Sequence, residues 1–224
     1  MNDKNYSTEL FYPAEIRLDR ESCEKLYESV DEDMAEELDD MVAEAAKIAR
    51  PVAIYRVTRA SCQEEGAEID GIFVDSPFVA QKLNGTAAIV PYVVTSGMEL
   101  ENWSAGYADD PLAGFWADEI KKIVLGQIYL AFFEFAKTLV DLPKGKFLSA
   151  LNPGSLNEWP ISGQKQLFAI LGGEDEVRER TGVILRESML MFPSKTGSGI
   201  YFITDEKYHN CMLCPRVDCP NRRS

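Results

Sequence analysis

Between residues 32 and 50, Met34, Leu38, Met41, Val42, Ala45 and Ile48 recur at the spacing of one helix face, and Glu and Asp fill the other. The pattern predicts an amphipathic helix that Pro51 stops. Residues 52–58 alternate apolar and polar types and are rich in β-branched side chains, which predicts a strand, and 69–74 reads as a second. Ser76-Pro77 then opens a helix through Leu83, with the serine as N-cap and the proline in the first turn, and Asn84-Gly85 ends it. The continuous apolar run over 86–95 is most simply a buried strand. Asp109 or Asp110 with Pro111 begins a long helix to about residue 140, apolar around most of its middle and therefore expected in the core. Residues 162–171 read as a short helix stopped by Gly172-Gly173, and short β runs follow near 183–185, 188–192 and 199–203. Helices and strands mix without strict alternation. The expected fold is α+β: an antiparallel twisted sheet flanked by helices, with a small Cys-rich C-terminal tail. The expected division is a domain over 1–205 and a tail over 206–224, with no internal repeat and no low-complexity linker.

Composition narrows the functional classes. The chain has 224 residues and a hydrophobic fraction of 46%, enough to build a core. Its net charge of -14 repels phosphate backbones, so nucleic acid is not an expected partner. The first residues lack an apolar run and a basic n-region, which argues against a signal peptide. The longest greasy stretch, 123–135, is broken by Gln127 and Glu134 and is too short to span a bilayer. A cytoplasmic protein that makes no use of a membrane is the expectation.

Of five cysteines, Cys211, Cys214 and Cys219 crowd into nine residues. A two-residue gap lets two thiolates on one tight loop reach the same ion, and four further residues bring a third around. Thiolates suit zinc or an iron–sulfur cluster. His209, Cys62 or Cys23 could supply a fourth ligand, or the fourth position stays open. The segment around Asn152-Pro153-Gly154-Ser155 is a turn whose backbone can come close to a small polar ligand. The stretch P-S-K-T-G-S-G over 193–199 lacks the order of a phosphate loop, because its lysine precedes both glycines, and nucleoside triphosphate binding is rejected. His209 is the only histidine, which leaves little material for a Ser-His-Asp arrangement, and no catalytic residue is assigned.

Read in order, N-P-G-S-L from Asn152, Q-K-Q-L-F-A-I-L-G from Gln164, and G-V-I-L-R-E-S-M-L-M-F-P-S-K-T-G-S-G-I-Y-F from Gly182 resemble the end of the reactivation domain of cobalamin-dependent methionine synthase. The matched positions are Gly182, Leu185, Ser188, Met191 and Pro193, then Ser198, Gly199, Tyr201 and Phe202. The terminal cysteine motif resembles the tails of shorter, stand-alone relatives. The resemblance implies a domain that binds S-adenosylmethionine and docks over a corrinoid protein. There it presents its methyl group while a flavodoxin or ferredoxin-type reductant supplies one electron to cob(II)alamin. Cobalamin would sit on the partner, a methionine synthase or related corrinoid methyltransferase. The residues implied for S-adenosylmethionine binding are Glu134, Asn152, Pro153, Gly154, Ser155, Tyr201 and Tyr208. The family's clamp arginine aligns with Ala150 and its following aromatic with Ser155, and Tyr208-His209 falls where the family has a tyrosine pair. Two other readings accompany this one: an iron–sulfur protein that itself reduces the corrinoid, and a zinc-stapled scaffold.

Overall fold

The computed structural model describes residues 7–28 and 30–213. Its centre is a five-stranded antiparallel sheet of β1 (Glu9–Phe11), β2 (Val52–Tyr55), β6 (Ile89–Thr95), β7 (Phe147–Leu151) and β10 (Thr196–Thr204), in the order β1-β2-β6-β10-β7. Three short strands, β3 (Ala60–Cys62), β4 (Ala67–Ile69) and β5 (Ile72–Val74), form a second sheet, and β8 (Ile184–Leu185) pairs with β9 (Met191–Phe192). The helices are α1 (Glu24–Tyr27), α2 (Ala35–Ile48), α3 (Pro77–Leu83), α4 (Met98–Ala105), α5 (Pro111–Leu139), α6 (Gln164–Ile170) and α7 (Glu174–Thr181). The expected α+β arrangement, an antiparallel sheet flanked by helices, is what the chain adopts.

The period-2 alternation of the central strands sends side chains to two separate cores. On one face Tyr55, Val90, Tyr92, Val94 and Tyr201 pack against Ile128, Phe132 and Ala136 of α5. On the other, Ile54 and Val93 meet Phe168 and Val177 of α6 and α7. Ile89, Ile200 and Phe202 on that face meet Val79, Leu83 and Leu167 of α3 and α6. Beyond the sheet, the first half of α5 uses Trp116 and Ile120 to bury Leu38, Met41 and Val42 of α2. Helix α5 thus serves two cores, which is why its apolar residues run around most of its circumference. The local signals at the helix starts act as read: Asp110 accepts hydrogen bonds from Leu112 N and Ala113 N at 3.0 Å, with Pro111 in the first turn.

The strand expected over 69–74 is instead a hairpin. Asp70 and Gly71 both have positive φ, 50° and 79°, and Ile69 pairs with Ile72 across them. Two consecutive positive-φ residues make the tight Asp-Gly turn that joins antiparallel strands. Asp70 then ties this small sheet to the large one, accepting hydrogen bonds from Thr58 Oγ1 at 2.6 Å and Arg56 Nη1 at 3.3 Å. The run over 188–192 is strand only at its end, because Met189 has φ 65° and the chain turns between Arg186 and Leu190. The edge strands β1 and β7 and helices α4 and α7 lie outside the elements predicted from the sequence.

Phe132 sits at the junction of the sheet and α5, fully buried, with its ring 5.5 Å from Tyr92, 5.4 Å from Tyr55 and 5.8 Å from Tyr201. Removing such a ring leaves a cavity that a stiff sheet cannot close. Phe132→Ala is expected to cost about 3–5 kcal/mol, read as a lowered denaturant midpoint at unchanged slope.

Candidate ligand site

The Pro-Gly turn stands at the end of β7. Ser155 N donates to Asn152 O at 3.1 Å, Pro153 takes the second position and Gly154, with φ 82°, the third. This is the composition of a type II turn, in which the third residue needs left-handed backbone. Gly154 N donates to Trp159 O at 2.8 Å, and Ser76 Oγ donates to Glu158 O at 2.7 Å while accepting from Val79 N. The N-cap serine of α3 therefore also holds the loop that follows the turn. Pro153 is buried, whereas Gly154 and Ser155 are exposed.

Asn152 anchors the turn to its surroundings. Its Nδ2 donates to Ser198 O at 2.7 Å and to the Tyr92 hydroxyl at 3.3 Å, and its Oδ1 accepts from Asn210 Nδ2 at 2.9 Å. Tyr208 in turn donates its hydroxyl to Asn210 Oδ1 at 2.9 Å. Gly199 makes room for this arrangement, because a Cβ there would lie 2.5 Å from both Asn152 Nδ2 and Leu151 O. The Lys82 ammonium sits 4.4 Å above the Tyr208 ring, a favourable cation–π position. Burial, and then the Glu158 carboxylate, pushes the Tyr208 phenol up to about 12. Turn, C-terminal segment and α3 thus form one polar rim of Asn152, Ser155, Glu158, Lys82, Tyr208 and Asn210.

The structure separates the other residues singled out in the sequence. Tyr201 is 3% exposed and stacked on Tyr92 at 4.3 Å, so it belongs to the core beneath the rim. Glu134 lies on the exposed side of α5 and pairs with Lys137 at 2.6 Å. Cys214 and Cys219 lie outside the described residues, and the backbone of Cys211 falls in a 3₁₀ turn over Asn210–Met212. Within the described residues no group of three or more His, Cys, Asp or Glu side chains could hold a metal ion. His209 carries an Nδ1 that is shut from solvent and has no hydrogen-bond partner. Two recesses exist elsewhere: one of about 340 Å3 between Cys62–Glu64 and α3, the other of about 580 Å3 beside Gly126 and Leu130 of α5. Neither includes the Pro153-Gly154 turn, and the rim exposes Gly154 and Ser155. Its chemistry is hydrogen bonding and charge, and it presents no nucleophile–base pair. Asn210 and Lys82 were not singled out from the sequence; the signal for Asn210 was masked by the cysteine motif that it adjoins.

Across most of its length the chain is similar to a solved structure, the MetH reactivation domain bound to AdoHcy. The TM-score is 0.65 at 15% identity, over 92% of this chain and 81% of that one. The chain has the fold of that domain. No family model and no curated sequence matches it. None of the helices formed by the described residues is long and apolar enough to cross a membrane.

Two expectations follow from the rim. Tyr208 has its folded-state value above its ordinary 10.0, so the neutral phenol's contribution to stability is present below about pH 10 and is lost as pH rises through about 12. Ultraviolet titration of the phenols should lose one of its late steps in Tyr208→Phe, while the other raised phenols, Tyr92 among them, still titrate late. Gly199→Ala drives a methyl into the Asn152 amide and the Leu151 carbonyl, and is expected to cost about 1–3 kcal/mol in chemical unfolding.

Proposed function

We propose that this protein reactivates a cobalamin-dependent methionine synthase, or a related corrinoid methyltransferase, by binding S-adenosylmethionine at the Asn152–Ser155 turn and presenting its methyl group to the partner's cobalamin. The observation that carries the reading is the likeness in fold to a domain solved with AdoHcy, combined with a Pro-Gly turn held open at the surface by Asn152. AdoHcy is what S-adenosylmethionine becomes when its methyl leaves. The chemistry asks little of the protein. One electron from a flavodoxin or ferredoxin-type reductant converts cob(II)alamin to cob(I)alamin, whose cobalt electron pair takes the methyl from the sulfonium and leaves the thioether. No proton moves. Binding and orientation are therefore the whole task, in keeping with a rim that lacks an acid–base pair.

In this reading the backbone of Asn152, Pro153, Gly154 and Ser155 contacts the ligand, and Tyr208 lies beside it. Tyr201 shapes the site from within the core. Glu134 is carried as an acidic group on the turn of α5 whose neighbour Phe133 packs on Tyr201. With Ala150 at the position of the family's arginine, the ligand carboxylate needs another cation. Lys82 is suited to it: it stands over Tyr208 and has no carboxylate partner among the described residues. The domain of 1–205 would act in trans, and the tail of 206–224 would hold a metal through Cys211, Cys214 and Cys219. A location in the cytoplasm, where these partners work, belongs to the same proposal.

Calorimetric titration of the anaerobically prepared protein with S-adenosylmethionine is expected to give saturable one-to-one binding. Lys82→Met and Gly154→Trp should each weaken it by about tenfold or more, about 1.4 kcal/mol. A flat titration at millimolar ligand, with or without a corrinoid partner, would remove the basis of the proposal.

A further inference from the structure

Helix α5 turns its first half toward α2 and its second half toward the sheet, and this leaves one row of residues facing outward. Between Lys121 and Val140 the exposed residues are Lys122, Gly126, Leu130, Glu134 and Thr138. They recur every fourth position, so they form one continuous ridge along the helix. Leu130, at its centre, has 70% of its surface exposed, the most of any large apolar side chain among the described residues. Gly126 precedes it by one turn. Glycine is disfavoured inside a helix, and nothing within the protomer demands it here, because a Cβ on Gly126 would meet no atom within 4 Å. The free space lies outside the helix, where Gly126 and Leu130 border the recess of about 580 Å3 that Arg17 and Ile123 also line.

The ridge is complementary to itself. Gly126 and Leu130 are equidistant from Ile128 along the chain, and so are Lys122 and Glu134. A two-fold axis across the helix at the level of Ile128 therefore sets Leu130 of each protomer against Gly126 of its partner, and Lys122 of each against Glu134 of its partner. Such an isologous contact satisfies both halves at once. Rows of residues four apart are the ridges that interdigitate in the commonest class of helix packing, and a glycine in one row leaves the hole that a leucine of the other can fill. The charges agree with this register. Within one protomer Lys122 pairs with Glu119 at 3.0 Å and Glu134 with Lys137 at 2.6 Å, and the Lys122 and Glu134 side chains keep 56% and 67% of their surface exposed. Antiparallel pairing joins them into an alternating row at each end of the contact: Glu119, Lys122, the partner's Glu134, the partner's Lys137. Parallel pairing would set lysine on lysine and leucine on leucine, and like charges face to face are unfavourable.

We infer that the outer face of α5 is the interface of a reversible homodimer, in which two copies of this chain pair antiparallel through the ridge over 122–134. A narrow contact edged with charge fits a weak, reversible pair. Lys82 stays uncovered in it, because α3 packs on the opposite face of the sheet from α5. Glu134 is also carried in the ligand reading, but the pair requires no ligand, so either reading can fail alone.

The test is sedimentation equilibrium of the reduced full chain without ligand. A monomer–dimer equilibrium in about the micromolar range is expected. Gly126→Gln fills the seat of the partner's Leu130 and replaces glycine by a better helix former. It should weaken the dimer by about tenfold or more while raising the thermal midpoint of the dilute monomer, a pair of opposite effects that a purely structural glycine would not give. Lys122→Glu should also weaken the pair, and Lys122→Glu combined with Glu134→Lys in one chain should restore it, since opposite charges again face each other. A chain that stays monomeric at about 1 mM would overturn the inference. So would a dimer that Gly126→Gln and Lys122→Glu leave unchanged, because its contact would lie elsewhere. Failure of the combined exchange to restore what Lys122→Glu loses would overturn the two-fold register.

Discussion

The side-chain amide of Asn152 is the contact on which the candidate site depends. Its three hydrogen bonds join four parts of the chain: the end of β7, the backbone of β10 at Ser198, the Tyr92 phenol in the aromatic core, and Asn210 in the C-terminal segment. An amide in this position is nearly fully satisfied, and a half-satisfied one would carry the penalty of a buried orphan. The turn that follows is therefore not a free loop. It inherits its position from the sheet and from the aromatic face beneath it.

That face is rigid for a reason that begins with α5. The helix buries one stripe against α2 and another against the sheet, and the rings of Phe132, Tyr92 and Tyr201 interlock at 4.3–5.8 Å. Burial holds the Tyr92 phenol well above its ordinary titration range, so it remains a neutral partner for Asn152 at working pH. Gly199 lets the amide come close, and the Ser76 cap of α3 holds the far side of the loop. A rigid scaffold thus presents a small open rim, which suits a role of binding and orientation.

Much of the scaffold was legible in the sequence because its signals are local. Ser76-Pro77 and Asp110-Pro111 mark helix starts within two residues, and the apolar run ending at Thr95 could only be buried. Elements without such signals escaped. Helix α7 has Val177 as its one apolar residue, so no periodicity announced it, and β1 has three residues whose partners lie more than forty positions away. The Asp70-Gly71 turn was legible and was passed over, because the flanking apolar residues read as one strand. At the site, the Pro153-Gly154 turn could be read directly. The partners of Asn152 could not, since Ser198 and Asn210 lie 46 and 58 residues further along the chain. The burial of Tyr201 against Tyr92 could not be read either, for a strand motif does not say which face of the sheet a side chain takes.

The central claim is that a ligand of the S-adenosylmethionine class sits on the turn that Asn152 anchors. Its most direct test is an NMR titration of the isotopically labelled full chain, following backbone and side-chain amides as S-adenosylmethionine is added. The account predicts that the resonances that move belong to Asn152, Gly154, Ser155, Tyr208 and Asn210, with Ser198 following through its carbonyl contact. Spectra that stay unchanged, or shifts confined to the recess beside Cys62 or the outer face of α5, would contradict it.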